Sequence, residues 1–374
     1  MRLAPGVACV VLSSPAPSWQ VVRPAPDSLT LLSSCTASVR AVVGRCSFRR
    51  YGLGLALLAA TGIAVAATQS GRRSMSNALT VLQQAQPGLL LVASLAFACA
   101  LVSSAAAWQV GLRACGGRAR FMQVSARYAV GSVVNTVAPA HLGGAVRLGL
   151  LSRVLTGGDR IWRAGGIGAS VAAARSLGLA IVIVAAAAAG GFPVWPAPLL
   201  GVGVVSVVFV CVRLSRSAVG RRGSVLEVFR MCARSPRAAS VLVAWIGCSI
   251  AVRLVAASFV AVALGVSRPV SVALVLLAAF AVSGVVPLTP GNFGAGPGAA
   301  ALALHGAGVS VGSSLALGLA FQAAETYSAL VLGVAGAAVL ADPGTRARRW
   351  SFAVAGAAAV LVAGMVGVAS VDLV

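Results

Sequence analysis

The chain contains no lysine, only six acidic residues and only two histidines in 374 positions. Charged residues make up 9% of it, far less than the surface of a water-soluble domain of that length needs. The shortage of carboxylates also removes the usual materials of hydrolysis and group transfer, which draw on a carboxylate base or a metal-binding acid pair. His141 and His305 are far apart in sequence. The eight cysteines (Cys9, Cys35, Cys46, Cys99, Cys115, Cys211, Cys232 and Cys248) have neither metal-ligand spacing nor the look of a disulfide framework. Several of them lie inside apolar runs, where a thiol is simply a small apolar side chain. No metal, no cofactor and no soluble enzyme domain are expected.

Hydrocarbon takes the place of charge. Hydrophobic residues form 59% of the chain and recur in runs of the length that crosses a bilayer, about 20 residues per helix. The runs fall at 53–70, 89–112, 164–189, 194–212, 238–264, 314–340 and 351–371. Two further regions, 128–150 and 271–304, are apolar but interrupted by proline and glycine. The pattern predicts an all-α polytopic membrane protein. Residues 1–50, rich in Ser, Pro and Arg, lack the basic, apolar, small-residue order of a signal peptide. They read as a disordered basic cytoplasmic tail, or as the product of a start codon assigned too early. Residues 51–374 read as a single integral membrane domain.

All 29 basic residues are arginine, and the net charge is +23. A charge of that size is one signature of nucleic-acid binding. Here the arginines gather in short segments between apolar runs, as the positive-inside rule requires, so no nucleic-acid partner is expected. Arginines beside a cytoplasmic leaflet favour anionic headgroups, which makes membrane lipids, anionic ones above all, the expected partners.

Arginine clusters occupy the tail and the segments 113–127, 147–163, 213–237 and 346–349. With all five on the cytoplasmic side, the loops at 71–88, 190–197 and 265–270 face outward and hold only Arg72, Arg73 and Arg268. This topology requires 128–150 to enter from inside and return inside, and 271–304 to enter from outside and return outside. The expectation is seven full spans beside two oppositely oriented re-entrant hairpins. That is the layout of an inverted repeat, in which transporters set a substrate site between broken helices.

The first broken region reads N-T-V-A-P-A-H-L-G-G-A-V-R over residues 135–147. Pro139 cannot continue a helix cleanly, and Gly143 and Gly144 allow a tight turn or a close backbone approach. Arg147 then stands one to two turns beyond the break, where a guanidinium can grip a phosphate with two donors; a snorkelling interfacial arginine is the plainer reading of it. The second reads P-L-T-P-G-N-F-G-A-G-P-G over residues 287–298. Such a density of breakers excludes one continuous span, and free amides opening the next half-helix suit an anion. The candidate substrate-binding residues are Asn135, Pro139, Gly143, Arg147, Pro290, Gly291, Asn292 and Gly294, joined by three charges inside apolar runs. Those are Arg175, Arg253 and Glu325, each costing at least about 2.5 kcal/mol even by lenient insertion scales. Glu325 is the one acid within any run and is the natural counter-ion of Arg175 or Arg253, in a functional or a purely structural pair. Trp195, Trp245 and Trp350 fit an aromatic belt.

The spacing Pro139-x-x-x-Gly143-x-x-x-Arg147 and the stretch P-L-T-P-G-N-F-G resemble the two signature elements of a flippase-like membrane family. That family shares the transmembrane region of lysylphosphatidylglycerol synthases. W-Q-V-G-L-R over 108–113 and F-Q-A-A-E-T over 321–326 are similar in kind and order, so the resemblance spans roughly residues 53–340. It implies movement of an anionic phospholipid or polyprenyl-linked lipid between leaflets of a plasma membrane, with the N-terminus cytoplasmic. No soluble aminoacyl-transfer domain follows in this chain, so aminoacylation is not expected. The sequence departs from the family where glutamates are common, at Gly144 and Pro297, and at Ala174, which stands before the arginine of the third span. Two alternatives stay open: a membrane-embedded transferase acting on a lipid phosphate, and a non-transporting partner of a cell-envelope glycosyltransferase or other envelope-biosynthesis enzyme. Oligomeric state is not legible.

Overall fold

Long runs of Ala, Leu and Val free of internal proline leave the backbone one way to satisfy its polar groups in hydrocarbon, the helix. The computed structural model describes residues 69–118, 120–137, 142–157, 159–190, 192, 198, 235–284 and 294–341. Among them the secondary structure is nine α-helices and no strand. In chain order these are α1 (Gln69–Gln83), α2 (Pro87–Ala114), α3 (Phe121–Val137), α4 (Leu142–Ser152), α5 (Arg160–Ala188), α6 (Pro236–Ala263), α7 (Pro269–Ser283), α8 (Ala295–Gly306) and α9 (Val311–Leu340).

Four of them, α2, α5, α6 and α9, have 28 to 30 residues and the length and composition to cross a bilayer. The molecule is a polytopic helical membrane protein. The outer faces of these helices carry bare apolar side chains such as Leu95, Leu177, Ile181 and Val243, which a bilayer covers and water would not. Proline opens α2, α6 and α7 at their first turn, where its missing N–H costs nothing.

At the centre, α2 and α6 run antiparallel in close contact. Gln86 N donates to Ala263 O at one end, and the Ser104 and Ser249 hydroxyls meet at 2.8 Å further along. Alanines at 93, 100, 256 and 257, all essentially buried, let the backbones approach. Helix α9 lies across this pair: Ser328 Oγ donates to Ser94 O at 2.7 Å, and Phe321 stands edge-on to Phe97 and tilted on Phe280 of α7. Helix α5 completes the group through glycines. Gly111 lies beneath Ile167, Gly168 beneath Trp108, and Gly178 beneath Ile250.

The spans expected at 89–112, 164–189, 238–264 and 314–340 correspond to α2, α5, α6 and α9. The tail 1–50, the runs 194–212 and 351–371, nearly all of 53–70, and Trp195 and Trp350 lie outside the described residues. Trp245 is 40% exposed on α6. One expectation is corrected: 71–88, read as a loop, is mostly the helix α1. Arginines and serines dominate that stretch, but Met75, Ala78, Leu79 and Leu82 recur at helical spacing and give it an apolar stripe. Ala78 of this stripe is fully buried, and Asn77 packs beside Gly312 of α9.

Candidate functional site

Both interrupted regions form two helices around a break. In the first, α3 and α4 flank residues 138–141; in the second, α7 and α8 flank 285–293. The pairing of α3 with α4 is antiparallel and tight. A Cβ on Gly143 would collide with Asn135, and one on Gly131 would come within 2.7 Å of the Arg147 Cβ. Four residues back along α3 match four residues on along α4, so the chain reverses through the break. Only glycine at 131 and 143 permits this separation, whereas Gly144 faces open space.

The two regions dock at different points of α9. Gly318 of α9 meets Pro297 and Ala300 of α8, and Gly333 and Gly336 meet Val133 and Ala126 of α3. The contacts at Gly318 and Gly333 are about 23 Å apart along the helix axis. Glu325 sits halfway between them.

Around Glu325 the charged residues converge. Its carboxylate accepts from Arg253 Nη2 of α6 at 2.5 Å, with both side chains largely shielded. Arg175 of α5 lies within electrostatic range of Arg253, Glu325, Arg147 and Tyr128. Arg147 of α4 stacks its guanidinium over the Tyr128 ring, 4.0 Å from the centroid, and donates from Nη2 to Ser132 Oγ at 3.0 Å. Arg253 alone contacts the Glu325 carboxylate, with Arg175 in its electrostatic neighbourhood and Arg147 in that of Arg175. The Nε atoms of Arg147 and Arg253 are buried with no hydrogen-bond partner, and among the described residues Arg175 has neither a hydrogen bond nor an ion pair.

Of the residues expected to form a site, Arg147, Arg175, Arg253 and Glu325 come together. Gly143 and Asn135 form the seam of the α3–α4 hairpin, with Asn135 otherwise exposed. Gly294 caps the start of α8 with φ +81°, a conformation that glycine alone adopts freely. Pro139, Pro290, Gly291 and Asn292 lie outside the described residues. Tyr128, Ser132, Ser104 and Ser249, which complete the surroundings of the arginines, carried no motif. The available signal was weak: one of only three tyrosines, one turn from a serine, inside an interrupted apolar region.

The flanking motifs resolve into packing. Trp108 covers Gly168, and Gln109, with its carbonyl oxygen turned inward, accepts from Phe121 N at 3.2 Å and Arg113 Nη2 at 3.0 Å, tying α2 to the start of α3. Phe321 is fully buried, and Gln322 Nε2 donates to Thr326 Oγ1. A separate crevice of about 600 Å³ opens between the end of α5, α7 and α8, lined by Ala187, Ala279, Leu302 and other carbon-only side chains. No arginine of the cluster lines it.

This arrangement of helical hairpins on a long central helix has a counterpart in sequence comparison: the profile of the lysylphosphatidylglycerol synthase TM region matches residues 51–333. The chain belongs to that family. The match takes in both interrupted regions and all four converging charges, and it identifies the chain as a membrane protein of a lipid-related family. A search of curated proteins gives no match.

Proposed function

We propose that the protein moves an anionic phospholipid or polyprenyl-linked lipid between the leaflets of the plasma membrane, holding its headgroup at Arg147, Arg175 and Arg253. The observation that carries this reading is the charge imbalance around Glu325. Among the described residues, three arginines with one carboxylate leave two positive charges without an acidic partner, at the depth where an unpaired charge is most expensive. An anionic headgroup entering the cluster supplies the missing charge and the acceptors for the orphaned Nε donors.

In this reading α3–α4 and α7–α8 are re-entrant hairpins that approach from opposite sides, within a domain of seven full spans covering 51–374 and with the N-terminus in the cytoplasm. Their separated docking points on α9, with Glu325 midway, support that topology. The substrate passes between the hairpins, and Gly294, at the start of α8, stands on the outward approach. The protein acts as a transporter without a catalytic residue. A transferase would need a second acid near Glu325; among the described residues the other acid is Asp159, at the start of α5 and about 24 Å along that helix from Arg175.

The test is lipid exposure in vesicles reconstituted with the purified protein, using fluorescent phosphatidylglycerol and phosphatidylcholine. The parent protein speeds exposure of the anionic lipid over the zwitterionic one, and Arg147→Ala and Gly294→Leu slow it about tenfold or more. Variants that expose both lipids as the parent does would overturn the assignment.

A further inference from the structure

A chain of contacts joins the arginine on the hairpin to the arginine on the central pair of helices, and Tyr128 is its middle link. Its ring lies beneath the Arg147 guanidinium, 4.0 Å from the centroid, while Ser132, one turn along α3, accepts from the same guanidinium. The Tyr128 hydroxyl interacts with the Ser104 side chain on α2. The hydroxyls of Ser104 and of Ser249 on α6 lie 2.8 Å apart, and both reach Ala100 O, so one donates to that carbonyl while the other donates to its neighbouring serine. Arg253 stands one helical turn beyond Ser249 and holds Glu325. Tyr128 is 3% exposed, so ring and hydroxyl are both enclosed by protein.

We infer that Tyr128 is a positioning residue that fixes the Arg147 guanidinium relative to the Arg253–Glu325 pair and so sets the spacing at which an anionic headgroup is gripped. The inference rests on the reading of the arginine cluster as a headgroup site. It assigns two separable parts to one side chain. The π face holds the cation without using up its donors, which leaves Nε of Arg147 free for a ligand. The hydroxyl faces Ser104 on the α2–α6 pair, where small residues lock two helices together. Aliphatic replacement removes both parts; phenylalanine keeps the first.

The experiment titrates phosphatidylglycerol, and separately phosphatidylcholine, into the detergent-purified full chain and reads the rise in thermal unfolding midpoint for the parent, Tyr128→Phe, Tyr128→Leu and Ser132→Ala. The parent gains stability from the anionic lipid at lower concentration than from the zwitterionic one. Tyr128→Phe keeps that preference within about threefold, while Tyr128→Leu raises the half-saturating phosphatidylglycerol concentration about tenfold and leaves the phosphatidylcholine curve unmoved. A merely structural role would lower the unfolding midpoint without changing the preference. If Tyr128→Leu retains the parent's preference, this inference fails alone. If Tyr128→Leu does not fold, Ser132→Ala decides: it frees the same guanidinium and should raise the half-saturating phosphatidylglycerol concentration about threefold or more, and a match to the parent overturns the inference. A parent with no preference overturns the headgroup reading and this inference with it.

Discussion

The Arg253 guanidinium and the Glu325 carboxylate meet at 2.5 Å between α6 and α9, and their pairing does not neutralise the site they occupy. Arg175 and Arg147 remain beside it as surplus cations. A buried pair alone is weak evidence of purpose, since desolvation offsets most of the attraction. A pair set among two further cations is different: among the described residues the cluster holds more positive than negative charge.

Glu325→Gln should be among the most damaging single changes in the cluster. Removing one partner of a buried pair costs about 3–5 kcal/mol, and exposures of 16% and 24% for these side chains reduce the expectation to about 1–3 kcal/mol. Arg253→Gln should lose a similar amount, and the double variant less than the sum. A double-mutant cycle on unfolding midpoints in detergent checks this; a coupling below about 0.5 kcal/mol would mean that the two residues act independently.

Arg175→Gln should do the reverse. Arg175 faces Arg253 and Arg147 with no hydrogen bond among the described residues, and Arg253 is its strongest charge neighbour, outweighing Glu325, so its removal relieves repulsion. The expected outcome is an unchanged or higher unfolding midpoint together with weaker retention of anionic lipid, a trade of stability against function. A variant less stable than the parent by more than about 1 kcal/mol would show that Arg175 is instead held in place by favourable contacts.

Adjacent glycines in the first hairpin should behave oppositely. Gly143→Ala forces a Cβ into Asn135 and should destabilise by about 1–3 kcal/mol through overpacking. Gly144→Ala meets nothing within 4 Å and replaces a poor helix former with the best one, a gain of up to about 1 kcal/mol. Thermal unfolding of the two variants side by side tests the antiparallel register of α3 and α4.

Glycines on α9 should govern hairpin docking. A Cβ at Gly336 would come within 2.7 Å of Ala126 O and one at Gly318 within 2.8 Å of Pro297 Cα, both backbone atoms that cannot step aside. Gly336→Ala should therefore loosen α3 and Gly318→Ala should loosen α8, each at a cost of about 1–3 kcal/mol. Hydrogen exchange should rise in the affected hairpin more than in α2 and α6; uniform change across the bundle would contradict separate docking.

The long spans were legible because hydrocarbon leaves the backbone no alternative to the helix. The residues read as breakers behave otherwise: Gly143 lies inside α4 and Gly296, Pro297 and Gly298 inside α8, while Pro139, Pro287, Pro290 and Gly291 lie outside the described residues. Scarcity made part of the site legible too: with one acid inside the apolar runs, Glu325 had to answer Arg175 or Arg253, and geometry chose Arg253. Helix α1 was missed because its arginines and serines outweigh an apolar stripe only four residues long. The link from Tyr128 to Ser104 and Ser249 was beyond the sequence, since nothing in one chain says which faces of α2, α3 and α6 meet.

The central claim is that the arginine cluster selects an anionic headgroup, and competitive lipid retention tests it most directly. The purified protein is equilibrated with equal amounts of phosphatidylglycerol and phosphatidylcholine, and native mass spectrometry counts the lipids that stay bound. The account predicts that the parent keeps mainly phosphatidylglycerol and that the Arg147→Gln, Arg175→Gln double variant keeps the two lipids equally. Equal retention by the parent, or an unchanged preference in the double variant, would contradict it.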